Sequence, residues 1–501
     1  MATYLDGQSR TFQEFLLLPN LTKKTDRPDA VDLSTPLDRF GPGRNPRIRL
    51  RLPMTSAVMQ SVSGPELAIA LARAGGLSFI FHSQPIERQV EMIRRVKSFK
   101  AGFVVSDSNL QPEATIAEGI DLAQRTGHST IAVTQNGTPD GPFMGLLTRQ
   151  DIPIKRDRHG DAVRKWMTPV GDMVTARHDV SLTEAQEQIF ASRQKCLPVL
   201  DGDGRLVHLV FRRDFEAQEQ FPFEMTDPEH RLLVGAGINT HDYRERVPAL
   251  LDAGADVLCI DASDGFSEWQ QDAFTFIRKE YGPDVIVGGG NVVEEEGFRY
   301  LADAGADFIK VGIGGGSICI TREQKGLGCG QASAVMAVAA ARDRYYRETG
   351  TYIPLCSDGG IQHDYHITLA LAMGADFVML GRYFARFDES PGRKLRIGTR
   401  YVKEYWAEGS ERARNWARYD MGGERRLQFE EGVDGYVPYA GDLQSNVART
   451  RAKLVSTMCN CGSITIPAFQ DSARIINVSQ QSFLESTYSI ERKDSEDMRF
   501  A

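Results

Sequence analysis

The segment at residues 312–331, GIGGGSICITREQKGLGCGQ, crowds glycines around Cys319 directly after the run DFIKVG. Glycine weakens an ordinary strand or helix, so such a cluster implies backbone shaped for close approach to something. A lone cysteine is most often a small buried hydrophobe. One in a polar, glycine-rich loop, with Arg322 and Lys325 nearby to favour a thiolate, suits a nucleophile instead. Cys329 shares the loop but stands at the start of the next helical pattern and reads as structural. The carbonyls of a curled Gly314–Cys319 turn could also converge on a cation, as hard oxygen ligands do. Two further loops, Cys356-Ser-Asp-Gly-Gly360 and Met379-Leu-Gly-Arg-Tyr383, offer glycine N–H groups and the Arg382 guanidinium to a phosphate. Asp358 offers acceptor oxygens rather than a phosphate donor, so it suits a ribose hydroxyl. The plain alternative is that both stretches are merely tight connections.

These loops need elements to position them. Four segments share one grammar: LARAGGLSFI (71–80), LLDAGADVLCID (250–261), LADAGADFIKVG (301–312) and LALAMGADFVMLG (369–381). Each ends an amphipathic helix in a glycine cap and enters a short apolar strand, half of a parallel β/α unit. With the other apolar runs, eight strands are predicted near 51–58, 77–81, 232–237, 257–261, 284–288, 308–312, 352–357 and 377–381. Helical patterns such as PELAIALARAG and QASAVMAVAAARDRYY fill most gaps. Eight strands alternating with helices predict a (β/α)8 barrel of the TIM type, whose function sits on the loops after the strand C-termini. Cys319 then follows the sixth strand, and the two phosphate-suited loops follow the seventh and eighth. GIGGGS has the wrong spacing and context for a Rossmann fingerprint.

Between residue 100 and about 221 the rhythm changes. Two blocks of some sixty residues resemble each other, each reading as strand, helix, two strands, helix, and the pair resembles a tandem of CBS domains. The expected organisation is therefore a barrel from 1–100 and 221–501, with an inserted module at 101–220. The 501 residues are ample for this, and 41% hydrophobic with 25% charged residues is an ordinary soluble composition. A net charge of -8 argues against duplex nucleic acid as a ligand. Seven scattered cysteines make no disulfide framework, and no signal peptide or membrane span is read, so the cytoplasm is expected.

The cysteine loop, CSDGGI, the paired insert and NWARYDMGG together resemble the inosine-5′-monophosphate (IMP) dehydrogenase family over nearly the whole chain. The resemblance implies oxidation of IMP to XMP with NAD⁺. Cys319 matches the nucleophile that adds to purine C2, and Arg418 and Tyr419 match a pair on a mobile flap, here about 405–440, that activates water. Thr321 and Glu431 match residues that help move the proton. Ser317, Asp358, Gly360, Gly381, Arg382, Tyr405, Gly409 and Glu431 match IMP-binding positions. Asp261, Ser263, Gly312 and Gly314 match NAD-binding positions. Carbonyls of Gly314, Gly316 and Cys319 match a potassium site completed by Glu485, Ser486 and Thr487 of a neighbouring subunit, which implies a homotetramer. Arg382 stands where many relatives carry serine, and Ala57 replaces a common serine. In the insert, Thr148 and Asp151 are kept, but Phe211 replaces a threonine that holds adenosine in other CBS pairs. Adenine-nucleotide regulation is therefore not expected.

Three other readings compete. GMP reductase shares the barrel and cysteine loop but is expected to lack the CBS pair and the long flap. An FMN-dependent barrel oxidoreductase would make yellow protein and need no Cys319. A nucleotide sensor with an inactive barrel would bind IMP without forming NADH.

Overall fold

A computed structural model describes residues 2, 7–99, 103–104, 106, 108–126, 130–153, 156–212, 221–228, 231–413 and 429–485. The chain forms two compact units, one from Met1–Ser98 with Phe223–Ala501, the other from Phe99–Pro222.

The first unit holds eight parallel strands: β1 Met54–Ser56, β2 Phe79–Ile80, β3 Gly235–Ile238, β4 Val257–Ile260, β5 Ile286–Val292, β6 Ile309–Val311, β7 Leu355–Asp358 and β8 Phe377–Leu380. Neighbours in sequence pair side by side from β2 to β8, and β8 pairs with β1. A parallel bridge between Thr55 and Leu77 brings β1 to β2, completing the barrel. All eight predicted strands are present, within a few residues of the predicted limits. Their side chains are buried on both faces because helices clothe the outside and side chains fill the interior. Phe308 packs between Phe79, tilted to it, and Phe377, edge-on, with ring centroids 6.0 and 5.7 Å away. Gly288 leaves the space that the Phe308 ring occupies.

The repeated Gly-Ala-Asp has a physical reason. Asp256, Asp307 and Asp376 each accept a backbone N–H at the entrance of a neighbouring strand, from Val234, Val287 and Leu355, all at 2.8 Å. Each also pairs with a cation: Lys97 at 2.8 Å, Arg278 at 2.6 Å and Arg342 at 3.1 Å. The repeat at 71–80 carries Leu77 in this place and has no such latch. These latches lie at the strand entrances, the face of the barrel associated with stability rather than chemistry.

Beyond β8, Lys394–Ile397, Arg400–Trp406 and Asp434–Pro438 form an antiparallel sheet in that order. At the amino end, residues 8–12 lie against the start of the helix Gln331–Thr349. Ser9 Oγ accepts from Gly330 N at 2.5 Å, and Arg10 N donates to Ser333 Oγ at 2.8 Å. A side chain at Gly330 would strike the Arg10 backbone.

The second unit has two four-stranded sheets. Its helices Ile116–Thr126 and Leu182–Ser192 begin with matching capping boxes, Thr115 with Glu118 and Ser181 with Glu184. The two repeats exchange strands. Phe103–Val104, opening the first repeat, pairs with Leu209–Val210 of the second. Thr168–Pro169, opening the second, pairs with Leu146 and Gly145 of the first. Among the described residues, 3₁₀ turns at Arg156–Arg158 and Val163–Lys165 also stand where a closing helix of the first repeat was expected.

Candidate active site

Three loops meet at the C-terminal mouth of the barrel. The β7 loop lies directly on the β6 loop: Gly360 N donates to Gly315 O at 2.8 Å. Gly359 has φ +90°, and a Cβ there would stand 3.1 Å from Gly315 C and Gly316 N. Both the left-handed backbone and the lack of space require glycine. Next to them, a Cβ on Gly381 would meet the Tyr405 hydroxyl at 2.7 Å and Met59 Sδ at 3.2 Å, with Ala57 behind. Tyr405 is hydrogen-bonded to Ser317, and burial raises its phenol above the ordinary range against the pull of that bond and of Arg382. Ser317, Gly381, Arg382 and Tyr405 therefore come together, beside Asp358 and Gly360.

Cys319 is partly exposed and is fixed by backbone on both sides. It bridges to Gly432, Ile320 N donates to Glu431 O at 3.0 Å, and Val433 N donates to Ile318 O at 3.0 Å. Glu431 N in turn donates to Gly409 O at 3.1 Å. The Cys319 thiol donates to Thr321 Oγ1 at 3.1 Å, and that hydroxyl donates to Glu431 Oε2 at 3.1 Å. A thiol, a hydroxyl and a carboxylate thus stand in a line along which a proton can move.

The two cations expected beside the thiol are engaged elsewhere. Lys325 Nζ pairs with Glu431 Oε1 at 2.6 Å, and the Arg322 guanidinium donates to Cys329 O.

Across the mouth, Lys310 is fully buried on β6. It bonds Asp261 Oδ1 at 2.6 Å and Asp358 Oδ2 at 3.2 Å. Burial alone would lower its pKa, but the two carboxylates outweigh it and hold the ammonium above its ordinary value. Asn291 Nδ2 donates to Asp358 Oδ2 at 3.0 Å and to Gly312 O at 2.6 Å. Beneath them, burial pushes the Cys259 thiol up to about 12, which makes it inert. Ser83 Oγ, Asn239 Nδ2 and Asn291 Oδ1, near the ends of β2, β3 and β5, are buried without a hydrogen-bond partner among the described residues. Such orphaned polar atoms are what a polar ligand in the mouth would satisfy.

Lys310, Asn291, Ser83 and Asn239 were not singled out from sequence. The signal for Lys310 was a charge inside the run DFIKVG, since a lysine on a strand buried on both faces needs a partner. Ser263 lies two residues beyond Asp261, partly buried. Gly314, at φ +72°, packs against the Arg322 side chain, and Gly316 O accepts from Cys319 N at 3.2 Å. Glu485 ends the exposed helix Gln480–Glu485; two residues ahead of that helix, Val478 N donates to Glu14 O at 2.9 Å. Arg418, Tyr419, Ser486 and Thr487 lie outside the described residues.

A family model described as the IMP dehydrogenase / GMP reductase domain matches residues 9–488. The chain belongs to the IMP dehydrogenase/GMP reductase family. An inosine-5′-monophosphate dehydrogenase of Tritrichomonas foetus is 58% identical over 97% of this chain and 96% of its own. That of Escherichia coli K12 is 35% identical over 96% and 95%. Among solved structures, a cysteine-to-alanine form of Trypanosoma brucei GMP reductase with guanosine 5′-monophosphate superposes with a TM-score of 0.82. It is 28% identical, covering 97% of this chain and 98% of that one. This overturns one expectation: a family reductase can match this chain end to end, so chain length and the inserted module do not separate reductase from dehydrogenase.

Proposed function

We propose that this family member is an NAD-dependent IMP dehydrogenase, catalysing IMP + NAD⁺ + H₂O → XMP + NADH + H⁺ on the way to guanine nucleotides. The observation that carries the dehydrogenase over the reductase is the 58% identity to the Tritrichomonas foetus enzyme across both chains, against 28% to the reductase. The covalent chemistry rests on Cys319, and Thr321 and Glu431, in line behind it, serve the proton of the water that hydrolyses the adduct.

In this reading Arg382 and the N–H groups around Gly360 and Gly381 hold the IMP phosphate, aided by Ser317 and Tyr405. Asp358, steadied by Lys310 and Asn291, accepts from the ribose. Gly409 and Glu431 flank the purine. Cys319 loses its proton and its sulfur bonds C2, a two-electron oxidation leaves a Cys319–purine thioimidate, and water then replaces sulfur at C2. Thr321 relays a proton from that water toward Glu431, while Arg418 and Tyr419 are assigned to activating it. NAD⁺ supplies the acceptor for the hydride that leaves C2. Asp261 suits its ribose diol, with Ser263, Gly312 and Gly314 beside it, and the orphaned polar atoms of the mouth fit such a ligand.

Potassium also fits the donor chemistry available. Backbone carbonyls of Gly314, Gly316 and Cys319 are hard, uncharged ligands, and Gly316 O keeps a lone pair beyond its bond to Cys319 N. Such an ion would steady the loop, with Glu485, Ser486 and Thr487 of a second copy completing the site in a homotetramer. The paired capping boxes and sheets of residues 99–222 support a tandem CBS module. Thr148 Oγ1 donates to its own Asp151 at 2.7 Å, and with Phe211 in the second repeat no adenine-nucleotide regulation is expected. Among the described residues no helix is long and apolar enough to cross a membrane, and we place the enzyme in the cytoplasm without a nucleic-acid partner.

The test is absorbance at the NADH band with IMP and NAD⁺, with and without K⁺. The intact protein should respond, faster with K⁺. Cys319→Ala should not respond at all, and IMP-dependent NADH from that variant would sink the proposal.

A further inference from the structure

The helix Thr321–Lys325 is a single turn, closed by Gly326 in the left-handed conformation with its N–H on Arg322 O at 3.0 Å. Residues four apart on a helix share a face. Here Thr321 and Lys325 turn that shared face to one carboxylate and divide it between them. Thr321 Oγ1 takes Glu431 Oε2 at 3.1 Å, and Lys325 Nζ takes Oε1 at 2.6 Å. The Glu431 side chain is 6% exposed and that of Lys325 is 30% exposed. The ammonium also lies 5.8 Å from the centroid of the Phe429 ring, two residues ahead of Glu431.

We infer that Lys325 is a positioning residue for hydrolysis of the Cys319 adduct, a role that rests on the dehydrogenase reading above. A buried carboxylate with one bonded oxygen can rotate about its terminal torsion. A charge-assisted bond on the second oxygen fixes that torsion and leaves Oε2 facing Thr321. Lys325 therefore sets the direction in which the water proton leaves through Thr321, without touching the purine or the nicotinamide. Hydride transfer needs the thiolate and the two nucleotides but not this orientation, so the two half-reactions should respond differently.

Rapid mixing of IMP and NAD⁺ with the full chain separates them. The NADH burst reports adduct formation, and mass measurement of the Cys319 adduct after NADH removal reports its hydrolysis. Lys325→Gln is expected to keep the burst, which also shows that the variant is folded, and to slow hydrolysis about tenfold, a coupling of ordinary size for contacting groups. Lys325→Arg should restore most of the rate. In a Glu431→Gln background, Lys325→Gln should add nothing further. Unchanged hydrolysis in Lys325→Gln would overturn the inference. So would an equal fall of burst and hydrolysis, no recovery in Lys325→Arg, or effects of Lys325→Gln and Glu431→Gln that multiply. If the unaltered chain gives no IMP-dependent burst, the dehydrogenase reading itself fails, and this inference fails with it.

Discussion

His366 sits among rings, 5.8 Å from Phe12, 5.3 Å from His363 and 4.4 Å from Tyr365 between centroids, and accepts from Gln362 N on Nδ1 at 3.1 Å. Burial, and then the charge of His363, lower its pKa from 6.5 to about 4. Between those values the unfolded chain binds a proton that the folded chain refuses. Stability should therefore fall as pH drops through this window, by about 3 kcal/mol from this group alone once pH 4 is reached. His366→Gln should flatten the melting temperature between pH 8 and pH 5 relative to the unaltered protein; identical slopes would disprove the assignment. At the same scale, Thr321→Ala should leave the NADH burst intact and lower steady-state turnover by about a hundredfold, the usual weight of a proton-transfer group. Cys319, Asp358 and Arg382 could be found from sequence because glycine clusters mark the loops that hold them. Lys325 was read as support for a thiolate, and its true partner could not be foreseen, because Glu431 lies 106 positions onward (431 − 325) and reaches it only through the Cys319–Gly432 bridge.

Among elements, the three aspartate latches are open to test. Asp376 is buried with Arg342 at 3.1 Å, and it also accepts Leu355 N at 2.8 Å and the Tyr352 hydroxyl at 2.8 Å. Asp376→Asn would take from a buried guanidinium its buried carboxylate, leaving it the half-exposed Asp343, and should cost about 3 kcal/mol in denaturant unfolding, with little effect on the KM for IMP. Gly359→Ala meets both a left-handed backbone and the β6 loop, and should raise the KM for IMP by tenfold or more while sparing global stability, since its strain falls where the two loops touch. Strands and helices were legible because a helix closed by glycine before a run buried on both faces has few other solutions. The strand limits were less so, since hydrogen bonding to neighbours sets them: the run predicted at 51–58 is strand only over Met54–Ser56.

For the molecule as a whole, the separation into two compact units predicts that the barrel does its chemistry alone. Replacing residues 99–222 with a short glycine–serine linker should leave IMP-dependent NADH formation within about threefold, because none of the residues assigned to the mouth comes from that segment. A loss of folding or turnover on excision would show that the barrel depends on its insert. The duplication in that segment was visible in the sequence, but the exchange of its opening strands was not, because two residues such as Phe103–Val104 fit either sheet equally well by pattern. That exchange limits how the module can be moved between proteins. Each sheet ends in a strand lent by the other repeat, so a half lifted out by itself would lose a border strand and present an open hydrogen-bonding edge to other chains. A graft cut midway should clump, whereas one spanning 99–222 brings both borrowed strands along.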